Sequence, residues 1–145
     1  MKKRDDLAVE WMDAGGNCAQ AVLCAFSEDL CLEREKALKL ASGFGAGMGR
    51  KQEVCGAVTG GIMVIGLKHG QERVADGEAK EKAYRLTCEL MARFGAGFGS
   101  CLCRELLDCD LRTGEGQRKY KENGLGEKVC RPCVRAVIGI LEEIL

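Results

Sequence analysis

Ten cysteines fall within 145 residues, at positions 18, 24, 31, 55, 88, 101, 103, 109, 130 and 133. They leave a chain of this kind two ways to fold: as a disulfide-stapled scaffold, or around an apolar core with its thiols kept reduced. Stapled scaffolds are typically under ~80 residues, because so short a chain cannot build a sufficient core. A chain of 145 residues is long enough for one domain to fold on apolar burial. Its 46% apolar and 30% charged residues are an ordinary globular balance. The start Met1-Lys2-Lys3-Arg4-Asp5-Asp6 has the charge of a signal peptide, but no apolar stretch or small-residue cleavage site follows. The expected compartment is therefore the reducing cytoplasm, where clustered cysteines more often serve metal or redox chemistry than structural bridging.

Charge narrows the partners. Lys and Arg number 22, as do Asp and Glu, and the two signs are interleaved. No basic block of the kind that tracks a phosphate backbone is present, so nucleic acid is not an expected partner. The uncharged stretch from Val54 to Leu67 is too short to span a bilayer, so no membrane insertion is expected and a buried core helix is the better reading. No linker or low-complexity segment divides the chain, which reads as a single domain over 1–145.

Helical periodicity dominates. Leu7, Ala8, Trp11 and Met12 mark a first helix over Asp5–Met12, ended by Gly15-Gly16. Asn17 is an N-cap for a second, from Cys18 to about Leu30. A third covers Glu33–Ala41, with Ala37, Leu38, Leu40 and Ala41 turned inward. A fourth runs from Cys55 to Lys68, stopped by Gly70. A fifth spans Gly77–Phe94, with Ala83, Leu86, Leu90 and Met91 apolar, and a short sixth covers Cys101–Leu107. The polar stretch Arg112–Gly126 reads as a loop. A last helix runs from Val129 to Leu145, with Pro132 in its first turn, where a missing N–H costs little. Strand signals are weak. The expected fold is all-α: a compact helical bundle of six or seven helices with Gly-rich connections. The third and fifth helices are similar (Glu35–Leu40, Glu81–Leu86), and similar glycine tails follow them: Phe44-Gly45-Ala46-Gly47-Met48-Gly49 and Phe94-Gly95-Ala96-Gly97-Phe98-Gly99.

Neither glycine tail is a nucleotide loop. G-x-x-x-x-G-K-[ST] and G-x-G-x-x-G are both absent, and no strand precedes either tail. Alternating glycines instead let backbone approach another group closely, and the nearest special group after the first tail is Cys55.

Cys55 opens Cys55-Gly56-Ala57-Val58-Thr59-Gly60. A cysteine at a helix N-terminus faces unpaired N–H groups and the positive end of the dipole, which favour the thiolate. Gly56 and Gly60, four apart, lie on one helix face and permit close approach. Cys101 and Cys103 form C-x-C, and Cys130 and Cys133 form C-x-x-C; together they offer four thiolates, as many as a zinc or iron–sulfur site uses. Cys24, Cys31, Cys88 and Cys109 lack motif context and read as small apolar packing residues. Met48, Met63 and Met91 read as core fillers. His69, the only histidine, sits at a helix end and cannot support a histidine-rich metal site.

Asn17-Cys18-Ala19-Gln20-Ala21-Val22, Ala41-Ser42-Gly43-Phe44-Gly45-Ala46-Gly47-Met48-Gly49 and Cys55-Gly56-Ala57-Val58-Thr59-Gly60-Gly61, in that order, resemble the C-GCAxxG-C-C family of redox-active proteins. The resemblance covers nearly the whole chain. It implies four site cysteines: Cys18, Cys55, Cys103 and Cys130, with Cys101 and Cys133 as close rivals for the last two places. It also implies similarity to the non-haem part of split-Soret cytochromes, where an iron–sulfur cluster is proposed. This chain has no C-x-x-C-H and would not attach c-type haem itself.

Three functions follow as expectations. The first is an electron-transfer protein in which Cys18, Cys55, Cys103 and Cys130 hold a [2Fe–2S] or [4Fe–4S] cluster, with zinc or no cofactor as alternatives and a separate redox protein as partner. The second is a thiol–disulfide oxidoreductase or redox sensor with Cys55 as the catalytic nucleophile, resolved by Cys18, Cys103 or Cys130. The third is a helical interaction module with structural cysteines. Gly-rich, apolar helix faces also make a homodimer conceivable. The first two expectations require the four sulfurs to converge, with Cys24 and Cys31 lying apart.

Overall fold

The computed structural model describes residues 2–145, which form eight helices and no strand. They are α1 (Arg4–Asp13), α2 (Cys18–Ser27), α3 (Arg34–Ala41), α4 (Gly56–His69), α5 (Gly77–Phe98), α6 (Cys103–Leu107), α7 (Gly114–Glu122) and α8 (Arg131–Ile144). A π turn over Gly126–Cys130 runs directly into α8. The all-helical expectation holds.

The centre is the pair α2 and α4, which pack most extensively on one another. Ala19 and every residue from Ala21 to Ser27 are buried, so α2 is covered on all sides by α1, α3, α4 and α8. Its start is set by a capping box. The Asn17 side chain accepts from the Gln20 N–H at 2.8 Å, and the Gln20 side chain accepts from the Asn17 N–H at 2.9 Å. Asn17 also donates to the Ser42 carbonyl at 3.1 Å, tying the end of α3 to the start of α2.

Glycines let α4 pack closely on both sides. A Cβ on Gly60 would stand 2.8 Å from the Ala19 carbonyl oxygen, and one on Gly56 would stand 3.2 Å from Cys18 Cβ. On the far side, a Cβ on Gly61 would meet Leu90 and Val137 at 2.8 and 2.9 Å. A helix approached from both faces has no solvent stripe to vary, which explains its near-uniform apolar sequence. The two helices covering its far side are amphipathic. In α5, Leu86, Leu90 and Phe94 are buried; in α8, Val134, Val137, Ile138 and Leu141 are buried at helical spacing.

Several expectations need correction. α5 does not stop at Phe94 but continues through the second glycine tail to Phe98. The Phe94 and Phe98 rings stack at 4.7 Å, and this contact offsets the poor helix propensity of Gly95 and Gly97. The helix ends one residue later at Gly99, in the left-handed conformation (φ 84°). The two similar tails thus differ in structure, because only the second carries two aromatics that can stack. The stretch read as a loop contains α7. Its start is capped by Thr113, whose hydroxyl accepts from the Gly116 N–H at 2.9 Å, and Gly116 is seated against the Asp110 backbone. Leu40 points outward and is 61% exposed, because an eight-residue helix turns only one face, Ala37 and Ala41, to the core. Cys31 and Cys88 are exposed rather than packed, while Cys24 is buried and Cys109 half-buried.

Candidate functional site

Five of the ten thiols line one cavity of about 320 Å³: Cys18, Cys55, Cys103, Cys130 and Cys133. The cavity lies at a seam. On one side is the main core, which includes Cys55 and Cys133 and against which Cys18 packs. On the other is a small core of Cys103, Leu107 and Leu111, against which Cys130 and Tyr120 pack.

Each of the five stands at the start of a helix. Cys18 is the first residue of α2, Cys55 the N-cap of α4, and Cys103 the first residue of α6; Cys130 and Cys133 flank the start of α8. Helix starts carry unpaired N–H groups and the positive dipole end, which favour negative sulfur. The Cys55 thiol is held below its ordinary value, first by Cys133 and then by the Ala57 and Val58 N–H groups of the first turn. The start of α8 differs, because the π turn supplies the Gly126 carbonyl to the Arg131 N–H.

The first glycine tail places two of these cysteines. After the 3-10 turn Ser42–Phe44, the backbone is left-handed at Ala46, Gly47, Met48, Gly49, Arg50 and Gln52. Four of those residues are not glycine, and each is strained there. The strain is held by the Gln52 N–H to the Ala46 carbonyl (3.1 Å) and the Glu53 N–H to the Gly47 carbonyl (3.0 Å). The chain leaves this coil as an extended segment and forms an antiparallel bridge, Val54 to Leu102. The Cys55 N–H donates to the Cys101 carbonyl, and the Cys103 N–H to the Glu53 carbonyl, both at 2.7 Å. This bridge brings the starts of α4 and α6 together, and with them Cys55 and Cys103.

Gln52 locks the arrangement. It is 4% exposed; its side chain donates to the Cys109 carbonyl at 2.7 Å and accepts from the Leu111 N–H at 2.8 Å. Gln52→Ala leaves a buried carbonyl and a buried N–H without partners, each costing about 1–3 kcal/mol. The expected result is a urea midpoint lowered by the equivalent of about 2 kcal/mol or more. An unchanged midpoint would show that the Cys103–Leu111 segment is held by packing alone.

The thiols fall into two pairs and a single. Cys18 and Cys130 bear most on one another's ionisation, as do Cys55 and Cys133. Within the first pair, Cys18 lowers Cys130 to about 7, with help from Tyr120 and the Arg131 charge, while Cys18 is raised well above its ordinary value. The Tyr120 hydroxyl donates to Cys130 Sγ at 3.6 Å. In the second pair, Cys55 is lowered by Cys133 and by the α4 N–H groups, and Cys133 is raised. Cys103 is pushed up to about 12 by burial, then by the neighbouring Cys55 and Cys130 sulfurs. Each pair therefore holds one sulfur that gives up its proton readily and one that keeps it.

Of the two rivals for the site, Cys133 is on the cavity and Cys101 is not. The Cys101 thiol turns away and donates to the Met91 carbonyl at 3.4 Å. Cys24 lies apart, in a groove beside Trp11. His69 is the last residue of α4, ~20 Å along the axis from Cys55. Gln52 and Tyr120 carried no motif to mark them. Tyr120 was recoverable only from the spacing of Leu111, Gly116 and Tyr120 behind a Thr113 cap.

The donors on the cavity are soft sulfurs. Among the described residues, no three His, Cys, Asp or Glu side chains are placed to hold one metal ion. The thiols stand around a void, whereas tetrahedral zinc needs four sulfurs about 2.3 Å from one point. Met12, Leu106, Leu107, Leu111 and Val129 make much of the remaining wall apolar, and the charged lining residues are Arg50 and Lys121, with no carboxylate.

The chain matches the family model C_GCAxxG_C_C, described as "Putative redox-active protein", over residues 16–144. No curated protein and no solved structure matches it. None of its described helices is long and apolar enough to cross a membrane.

Proposed function

The chain belongs to the C-GCAxxG-C-C redox-active family, and we propose that its thiol cavity holds an iron–sulfur cluster through which it exchanges electrons with a separate redox protein of the cytoplasm. The observation that carries this reading is the gathering of Cys18, Cys55, Cys103 and Cys130 around one void at the seam of two cores. These four would hold the cluster, which supplies a one-electron couple when bound. The chain's own residues do the rest. The first-turn N–H groups of α4 favour negative charge on the Cys55 sulfur, and the Tyr120 hydroxyl donates to the Cys130 sulfur. Hydrogen bonds of this kind stabilise negative charge on sulfur and tune a cluster's potential. Arg50 and Lys121 offset the charge of several thiolates, and the apolar wall keeps water off them.

The test is composition and colour. Protein purified without oxygen is expected to contain iron and acid-labile sulfide and to absorb in the visible, with bleaching by dithionite. Replacing any one of Cys18, Cys55, Cys103 or Cys130 by serine is expected to lower bound iron about tenfold or more. A colourless protein that takes up no iron on anaerobic reconstitution would overturn the reading.

A second reading, thiol–disulfide exchange, is favoured by the five thiols gathered on one cavity, among them Cys130, whose proton is held loosely, and Cys18, which keeps its own. That division of labour suits a nucleophile and its resolving thiol. It predicts a metal-free protein whose cavity thiols are titrated reversibly by a disulfide.

A further inference from the structure

We propose that the cavity is a binding site for a small organic anion, and that the substrate of its thiols is an anionic disulfide of low molecular weight whose carboxylates are held by Arg50 and Lys121. This rests on the reading of the cavity as a thiol–disulfide site and names the class of substrate that site would take.

The void is of ligand size. At about 320 Å³ it falls at the lower end of the range of about 300–1,000 Å³ for small-molecule pockets, which are mostly apolar with a few polar groups that orient the ligand. Met12, Leu106, Leu111 and Val129 supply apolar wall. Among the described residues, the charged ones on the lining are Arg50, which follows the first glycine tail, and Lys121, in the last turn of α7. Both are exposed, and so stand where the cavity opens to solvent. A cleft that carries cations and no carboxylate, set in low-dielectric walls, focuses its field and draws anions in.

Neither cation is used by the fold. Arg104, Arg112 and Arg131, on segments that frame the cavity, are each paired, with Glu53, Asp110 and Asp13. The side chains of Arg50 and Lys121 make no hydrogen bond or ion pair to any described residue. Arg50 is also held left-handed, at φ 68°. The same strain is offset at Gln52 by side-chain bonds to Cys109 and Leu111, and at Ala46 by packing on the small core. At Arg50 no bond of the side chain offsets it, although Gly47 and Gly49 close by take this backbone freely. A strained residue whose side chain has no partner inside the chain points to a partner outside it.

The step is a thiol–disulfide exchange. A cavity thiolate attacks one sulfur of R–S–S–R, forming protein–S–S–R and releasing RS⁻, which takes a proton from solvent. A second cavity thiol gives its proton to solvent, attacks the protein sulfur of that mixed bond and displaces the other RS⁻. Two protein thiols lose two electrons, and one small disulfide becomes two thiols. A carboxylate on R suits both cations, the guanidinium as a two-pronged donor and the ammonium as a point charge.

Thiol reagents that differ in charge test this without metal. Full-length protein with the exposed Cys31 and Cys88 replaced by serine is reduced, treated with chelator and reacted anaerobically with 2-sulfonatoethyl (anionic), methyl (neutral) or 2-trimethylammonioethyl (cationic) methanethiosulfonate. Mass spectrometry follows tryptic peptides 52–68 and 129–135, which carry Cys55, Cys130 and Cys133. Each rate is divided by that of 2-mercaptoethanol with the same reagent and then by the neutral rate, which cancels the thiolate fraction. The anionic reagent should be favoured over the cationic one about tenfold at about 10 mM ionic strength, and hardly at all at about 1 M. Arg50→Gly and Lys121→Gln should each reduce this preference, and the double variant should abolish it. Arg50→Gly should also raise Tm by roughly 2–4 °C, because glycine takes the left-handed backbone without strain. Lost selectivity in a more stable protein cannot come from unfolding. No preference for the anionic reagent, a preference kept in the double variant, or cavity thiols closed to all three reagents would overturn the assignment. Iron content of untreated protein, and reversible titration of its thiols by a neutral disulfide, report on the two redox readings separately.

Discussion

Reduced, metal-free protein exposed to iodoacetamide at pH 7 is expected to lose Cys130 first and Cys103 last among the cavity thiols. Cys130 sits at about 7 and is therefore about half thiolate there, while Cys103, at about 12, is ionised to roughly one part in 10⁵. The less basic thiolate is the weaker nucleophile, which takes back about two orders of magnitude and leaves a rate ratio of ~10³. Cys31 and Cys88 are exposed and should be replaced by serine beforehand, so that the cavity is read alone. The Cys130 rate should rise with pH through a midpoint near 7. In Tyr120→Phe that midpoint should move upward, because the hydroxyl donor to its sulfur is gone. Linkage gives the sign for stability. The folded chain releases the Cys130 proton near pH 7 and the unfolded chain near 9. With Cys18 still protonated, the stabilisation from Cys130 is complete above pH 9 and is lost as pH falls through 7. Equal labelling of Cys103 and Cys130 would contradict the arrangement of hydrogen bonds around them.

Gly60→Ala is expected to destabilise the protein by about 1–3 kcal/mol, lowering Tm by roughly 2–12 °C. Its Cβ would press on the Ala19 carbonyl oxygen at 2.8 Å and on Ala19 Cα and Val22 Cβ at 3.1 Å. None of these atoms is the far end of a flexible side chain, so α2 and α4 must separate. Cys18 and Cys55, at the starts of those helices, would separate with them, and bound iron should fall too. Gly139→Ala is the internal control. Gly139 lies in α8, is exposed, and its Cβ would meet nothing within 4 Å, so the change should stabilise by up to about 1 kcal/mol. A Gly60→Ala protein with unchanged Tm would show that α2 and α4 are not held at the limit of approach.

The two predictions mark two kinds of information in the chain. Features that depend on neighbouring residues were legible in the sequence. The Asn17 cap is local, as are the stop at Gly70 and the apolar spacing of α5 and α8, and all are found where local chemistry predicts. The Gly56–Gly60 face was legible as a place of close approach, because helical spacing puts both glycines on one side. Cys18, Cys55, Cys103 and Cys130 were singled out by family resemblance, and all four face one cavity. The fifth thiol, and the exclusion of Cys101, came from backbone conformation. Cys101 and Cys103 lie two apart, a spacing that alone would put both on one side of an extended segment; Cys103 instead begins α6, while the Cys101 thiol turns to the Met91 carbonyl. Cys130 and Cys133 lie three apart at a helix start, so both face it. Which of Cys101 and Cys103 turns inward was decided by the Val54–Leu102 bridge, a contact between segments far apart in sequence. The same holds for α7, whose good helix formers follow two glycines and mark almost no apolar face, so that its Thr113 cap and its seat on Asp110 fix it, and for Gln52, a lone polar residue held left-handed by partners up to 59 positions away. Sequence alone determined most of the helices, though not α7, and placed the site cysteines near their starts. Only the tertiary structure decided which sulfurs meet, because the hydrogen bonds that aim them join segments with no local reason to pair.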